Sequence, residues 1–151
     1  TIHNTAEPFS AQQERDRVYY RSGSTSFHFA VDETGAVQIL PLDRHGWHAG
    51  DKRGEGNLNS IGIEICRSHC RGDRDELYRR SENNAVVLAA LLLEKFKLDT
   101  DKLRMHQDWS GKFCPHRILE EKRWDDFKAR VSRAREELKK HPVDFRPAET
   151  F

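Results

Sequence analysis

The residues best suited to chemistry sit together in Met105-His106-Gln107-Asp108-Trp109-Ser110-Gly111-Lys112-Phe113-Cys114-Pro115-His116. Imidazole nitrogen and thiolate sulfur are donors that zinc prefers, and three protein donors with an open fourth position make a catalytic rather than a structural site. The step from His106 to Cys114 is too long for adjacent turns of one helix, and Gly111 and Pro115 argue against a continuous helix. A loop is therefore expected, bending two donors toward one ion, with Lys112 close to the same spot. A third donor must come from elsewhere, and Thr1-Ile2-His3-Asn4-Thr5-Ala6 offers His3.

Between these segments lies Asn59-Ser60-Ile61-Gly62-Ile63-Glu64. With the three motifs in this order, the chain from Ile2 to about Val131 resembles the zinc-dependent N-acetylmuramoyl-L-alanine amidases of the phage-lysin and peptidoglycan-recognition superfamily. It is most similar to endolysins and autolysins of Gram-positive spore-formers. The resemblance implies an α/β fold, a mixed central sheet flanked by helices, with Zn2+ held by His3, His106 and Cys114. It also implies Glu64 as general base and Lys112 as a stabiliser of the oxyanion. The implied reaction is hydrolysis of the amide between N-acetylmuramic acid and L-alanine in peptidoglycan, at the bacterial cell wall, by a phage-encoded or secreted protein. Two other readings stay open. One is a non-catalytic recognition module, which a metal assay separates; the other is a zinc peptidase cutting the stem peptide, which product analysis separates.

The remaining candidates are weaker. Trp47 and His48 sit in a segment similar to a Trp-His-x-Gly stretch of the family, and an aromatic-polar pair on a loop can wall a substrate cleft. Both are expected substrate contacts. His28 either touches substrate or is a buried, hydrogen-bonded structural residue. Some relatives carry a tyrosine just before this histidine; here it is Phe27, which shifts the burden to Glu64. Glu64 is flanked by isoleucines and glycine, surroundings that raise a carboxylate pKa toward the general-base range. His45, His69 and His141 read as surface residues, and His116 as structural.

Elements must hold these groups in place. Ser10 and Gln13 form a capping-box pattern, so a helix is expected over Ala11 to Arg21, closed by Gly23. Strands are expected over Ser26 to Val31, Ala36 to Leu40 and Ile61 to Cys66, with a turn at Asp32-Glu33-Thr34-Gly35. Period-two alternation puts Ile2, Phe27, Phe29, Val31, Ile61, Ile63 and Ile65 on one face and His3, His28 and Glu64 on the other. Asp43 to Asn59, rich in glycine and charge, reads as a long exposed loop. A helix from Asp75 to Lys97 should bury Leu77, Ala85, Leu88, Leu91, Leu92 and Phe96. Another should bury Trp124, Phe127, Val131, Ala134 and Leu138.

Composition bounds the rest. The 151 residues fit one domain: residues 1–140 as the catalytic unit and 141–151 as a linker, which in similar lysins leads to a cell-wall-binding module. Because the chain opens on an expected strand, residues are expected to precede Thr1, and the lack of a visible signal peptide carries no weight. Lysine and arginine number 26 against 25 acids, so no basic stripe favours nucleic acid. The apolar run Ala85 to Leu93 is about half the length of a membrane span. A monomer acting on peptidoglycan is expected. With Cys114 on the metal, Cys66 and Cys70 are expected as free thiols rather than a second metal site.

Overall fold

A computed structural model describes residues 1–20 and 23–141. Four strands form one sheet: β1 (Ile2–Asn4), β2 (Phe29–Asp32), β3 (Gly35–Gln38) and β4 (Ile63–Ile65), in the order β1-β4-β2-β3. β4 runs parallel to both β1 and β2, while β2 and β3 form an antiparallel hairpin. The sheet is therefore mixed, as expected. One face packs against α3 (Asp75–Lys95) and α6 (Trp124–Lys140), and the core there unites Ile2, Phe29, Val31, Ile63 and Ile65 with Tyr78, Ala89, Leu93, Phe127 and Val131.

The other face carries α1 (Ala11–Tyr20) over Ala30, with Ala11, Phe27 and Cys66 buried around it. The capping box forms: Ser10 N–H donates to Gln13 Oε1 at 2.9 Å, and Gln13 N–H to Ser10 Oγ at 3.2 Å. Tyr20 is the last described helical residue, and Arg21 lies outside the described residues.

Four expectations are corrected. Phe27 does not share a face with Phe29 and Val31. The amides of both His28 and Phe29 donate to the Gly62 carbonyl, at 3.1 and 3.0 Å, and this bulge breaks the alternation by one residue. Phe27 thereby lands beside Ala30. The segment from Asp43 to Asn59 is not a plain exposed loop, for it contains α2 (Glu55–Asn59) and buries His48, Ala49 and Asn57. Its polar residues are spent internally: the Asp51 carboxylate accepts the Gly56 and Asn57 amides at 2.7 and 3.2 Å. The buried stripe of α3 is Tyr78, Ser81, Glu82, Ala85, Val86, Ala89, Ala90 and Leu93, with Phe96 beyond the helix left 43% exposed. Alanines allow close approach to the sheet, and the buried Glu82 is neutralised by Arg123 and Arg130.

The stretch expected as a loop from His106 to Cys114 begins as a helix. α4 (His106–Ser110) ends at Gly111, whose φ of 77° suits glycine, and α5 (His116–Glu120) begins just after Pro115. α6 matches its expected pattern and ends before His141. Beyond His141, the expected linker lies outside the described residues.

Arg117 of α5 locks this region to α3. Its buried guanidinium donates to the carbonyls of Ser68 and Cys70, pairs with Asp75 and Glu121, and lies 4.6 Å from the Tyr78 ring centroid. Arg117→Ala should destabilise the protein by about 2–4 kcal/mol, because it removes a buried side chain and leaves the Ser68 and Cys70 carbonyls without their donor, while Asp75 and Glu121 keep Arg79 and Arg123. Chemical unfolding would measure this loss, against Lys139→Ala at the exposed end of α6 as a near-neutral control.

Candidate metal centre

All three expected donors are pinned to β1. His3 is its central residue, with Glu64 of β4 as its register partner. Ile2 N–H donates to the Arg104 carbonyl at 2.8 Å and Ile2 forms a parallel bridge with Met105, which places His106 at the start of α4. The Asn4 amide donates to Cys114 Sγ at 3.4 Å, and the Asn4 side-chain carbonyl accepts the Arg117 amide at 2.9 Å. One short strand thus carries one donor and holds the other two in place.

The donor atoms lie within 4.8 Å of one another, and all three residues are buried. His3 Nδ1 is 3.0 Å from His106 Nδ1 and 4.0 Å from Cys114 Sγ. A tetrahedral zinc with ordinary bond lengths would separate its donors by about 3.3 Å for two nitrogens and about 3.6 Å for nitrogen and sulfur. The donors present therefore fit such an ion once the widest separation, up to 4.8 Å, closes by about 1 Å. Burial lowers the pKa of His3 and of His106, which keeps both imidazoles neutral with lone pairs free for coordination. Burial also pushes the Cys114 thiol up to about 12.

Glu64 is half-buried, with Oε2 lacking a hydrogen-bond partner. Burial, reinforced by the nearby Glu14 charge, raises its pKa to about 8, while Lys112 and Arg17 oppose the rise. Glu14 is itself buried on α1 and paired with Arg17 at 2.7 Å. Lys112 is exposed just after α4, and its positive charge is felt at His3, His106, Glu64 and Cys114.

The three residues expected at the substrate are placed differently from one another. Trp47 is 42% exposed, with its backbone paired to Ser26. His48 is buried, and its Nδ1 lies 3.0 Å from Nε2 of His3. His28 is buried with both ring nitrogens engaged, Nδ1 accepting the Gly62 amide at 3.0 Å and Nε2 donating to the Arg44 carbonyl at 2.9 Å. Asn4, Glu14 and Asn57 were not singled out by sequence. Asn4 follows the donor His3 directly, a signal the sequence carried, while Glu14 and Asn57 are brought to the site by the fold. Cys66 and Cys70 are free and buried, and the metal-capable cluster among the described residues is His3, His106 and Cys114.

Two histidines and a cysteine that could hold one metal ion, with a carboxylate on the neighbouring strand, supply the donor set and the base that zinc hydrolases use. The family model described as N-acetylmuramoyl-L-alanine amidase matches residues 1–117. The chain is 48% identical over 134 residues to the N-acetylmuramoyl-L-alanine amidase XlyB of Bacillus subtilis (strain 168), covering 88% of this chain and 41% of that protein. With the amidase CwlA of the same organism it shares 47% identity over 141 residues, covering 93% and 50%. The solved structure of PlyL superposes with a TM-score of 0.82 at 42% identity, covering 87% of this chain and 80% of the other. The chain belongs to the N-acetylmuramoyl-L-alanine amidase family. It spans half or less of the length of these two curated relatives.

The Glu64 environment predicts a pH signature in protein stripped of metal by a chelator. A carboxyl raised from its ordinary 4.5 to about 8 keeps its proton in the folded state where the unfolded chain releases it. Its contribution to stability is full below about pH 4.5 and is lost as pH rises toward 8. The buried histidines act in the opposite direction, so the difference between wild type and Glu64→Gln isolates the carboxyl. Unfolding curves across this range should show Glu64→Gln gaining stability relative to wild type as pH rises; a constant difference would refute the assignment.

Proposed function

We propose that this domain binds zinc through His3, His106 and Cys114 and hydrolyses the amide joining the lactyl group of N-acetylmuramic acid to the L-alanine of the stem peptide. The observation that carries this reading is the convergence of those donors on one face beside Glu64, in a chain of this family. XlyB and CwlA are named for that same activity. The site of action is the bacterial cell wall, where the protein is phage-encoded or secreted. Among the described residues no helix is long and apolar enough to cross a membrane.

When bound, zinc supplies a Lewis acid that lowers the pKa of water and polarises the scissile carbonyl. Glu64 accepts the proton of the attacking water, and its elevated affinity for protons suits it to hold that proton and pass it to the leaving nitrogen. Lys112 presents its ammonium to the carbonyl oxygen as negative charge develops there. Trp47, exposed beside the buried His48, offers an apolar wall to the glycan or stem peptide.

Digestion of purified cell walls, with and without chelator, followed by mass analysis tests the reaction. The expected products carry free L-alanine amino termini and an intact glycan. Cleavage inside the stem peptide would replace this reading with a peptidase, and binding without cleavage would leave a recognition module.

Purified protein should carry close to one zinc per chain, and Cys114→Ser should lose most of the metal and the activity. Glu64→Ala should keep zinc and slow hydrolysis by about a hundredfold or more. Retained activity would return Glu64 to a structural role.

Lys112→Ala should raise the barrier by about 2.7–4 kcal/mol, mainly through turnover, with zinc content unchanged. The exposed Lys122→Ala is the control. A rise confined to the Michaelis constant would make Lys112 a ground-state contact instead.

A further inference from the structure

A third histidine belongs to the cluster without being one of its donors. We propose that His48 is a positioning residue for the metal centre: it accepts the Nε2–H of His3 and so fixes the tautomer and ring plane in which His3 offers Nδ1 to the ion. This rests on the zinc reading given above.

The argument begins with the proton on His3. Its Nδ1 faces His106 Nδ1 at 3.0 Å and Cys114 Sγ at 4.0 Å, so this is the nitrogen aimed at the ion. A lone pair there requires the proton to sit on Nε2, and a buried N–H without an acceptor is costly. The acceptor is His48 Nδ1, 3.0 Å away, with the two rings at 89°. His48 must then carry its own proton on Nε2, which faces the Ser60 carbonyl at 3.4 Å. Both tautomers are set by one chain that ends on a backbone oxygen.

The surroundings of His48 are built to hold it there. A Cβ on Gly46 would lie 2.6 Å from His48 Cδ2, and one on Gly62 would lie 2.8 Å from the same atom. The ring fits only because both positions lack a side chain. The amides of His48 and Ala49 both donate to Asn57 Oδ1 at 2.7 Å, and Asn57 Nδ2 donates to the Lys52 carbonyl at 2.8 Å. The next residue bears on the second ligand, since the Ala49 backbone favours a proton on the His106 ring and so acts on its basicity. One loop therefore backs both histidine donors. Partners of this kind orient metal ligands and raise their basicity.

Zinc affinity, measured by competition with a chromophoric chelator, is the direct test. The absorption spectrum of the cobalt-substituted protein reports ligand geometry independently of activity. His48→Ala should weaken zinc binding by about tenfold to a hundredfold and alter the cobalt spectrum. Its metal-free thermal unfolding, followed in chelator, gives the packing loss separately. His48→Asn should recover most of the affinity, because its Oδ1 can take the place of Nδ1 as acceptor. Gly46→Ala should weaken zinc binding in the wild-type background and do little when combined with His48→Ala. Wild-type zinc affinity in a folded His48→Ala protein would overturn the proposal, as would an Asn variant no better than Ala, which would leave a space-filling role. Failure of the wild-type protein itself to bind zinc would instead overturn the metal reading on which the proposal stands.

Discussion

Strand β1 is paired along one edge with β4 and bridged near its start to Met105, and those two pairings decide where every donor of the metal centre lies. A three-residue strand has little stability of its own. It is held because Ile2 is fully buried in the core shared with α3 and α6, while His3 points to the opposite face. Asn4 then spends its amide on Cys114 and its side-chain carbonyl on the first turn of α5. Packing on one side of the sheet thereby fixes chemistry on the other. An error of one residue in β1 would exchange Ile2 and His3 between core and site.

Electrostatics in the site follow from the same burial. Desolvation keeps the histidines neutral and drives Glu64 toward its protonated form. Three nearby charges then adjust the carboxyl in opposite directions: Glu14 raises its proton affinity, and Lys112 and Arg17 lower it. A carboxyl balanced in this way lies close to neutral pH, where accepting and releasing a proton have similar cost. Glu14 contributes from the buried side of α1, because a charge in a dry interior is screened less than one in water.

The charged residues outside the site have a different task. Asp75, Arg79, Glu121, Arg123, Glu82 and Arg130 form a connected set joining α3 to α5 and α6, with Arg117 at its buried end. This set holds α5 against α3, and α5 follows directly on Cys114. Near-neutral net charge thus conceals a chain in which opposite charges are sorted into specific pairs.

Donor chemistry and helix patterning were legible in the residues themselves. Histidine and cysteine types at His3, His106 and Cys114, the Ser10–Gln13 cap and the Trp124–Leu138 stripe depend on local side-chain chemistry and on helical spacing. What sequence could not supply were the contacts made across the fold. The bulge at His28 and Phe29 depends on one carbonyl, that of Gly62, serving two amides of a distant segment. Asp43 to Asn59 looked solvated because its residues are polar, and it is partly buried because Asp51 and Asn57 satisfy its backbone from within. His48 reads as a cleft residue along the chain, yet it lies behind His3, in a space left by Gly46 and Gly62. Composition determines which groups are available for hydrogen bonding and coordination; which partner each one meets is decided only when residues dozens of positions apart are packed together.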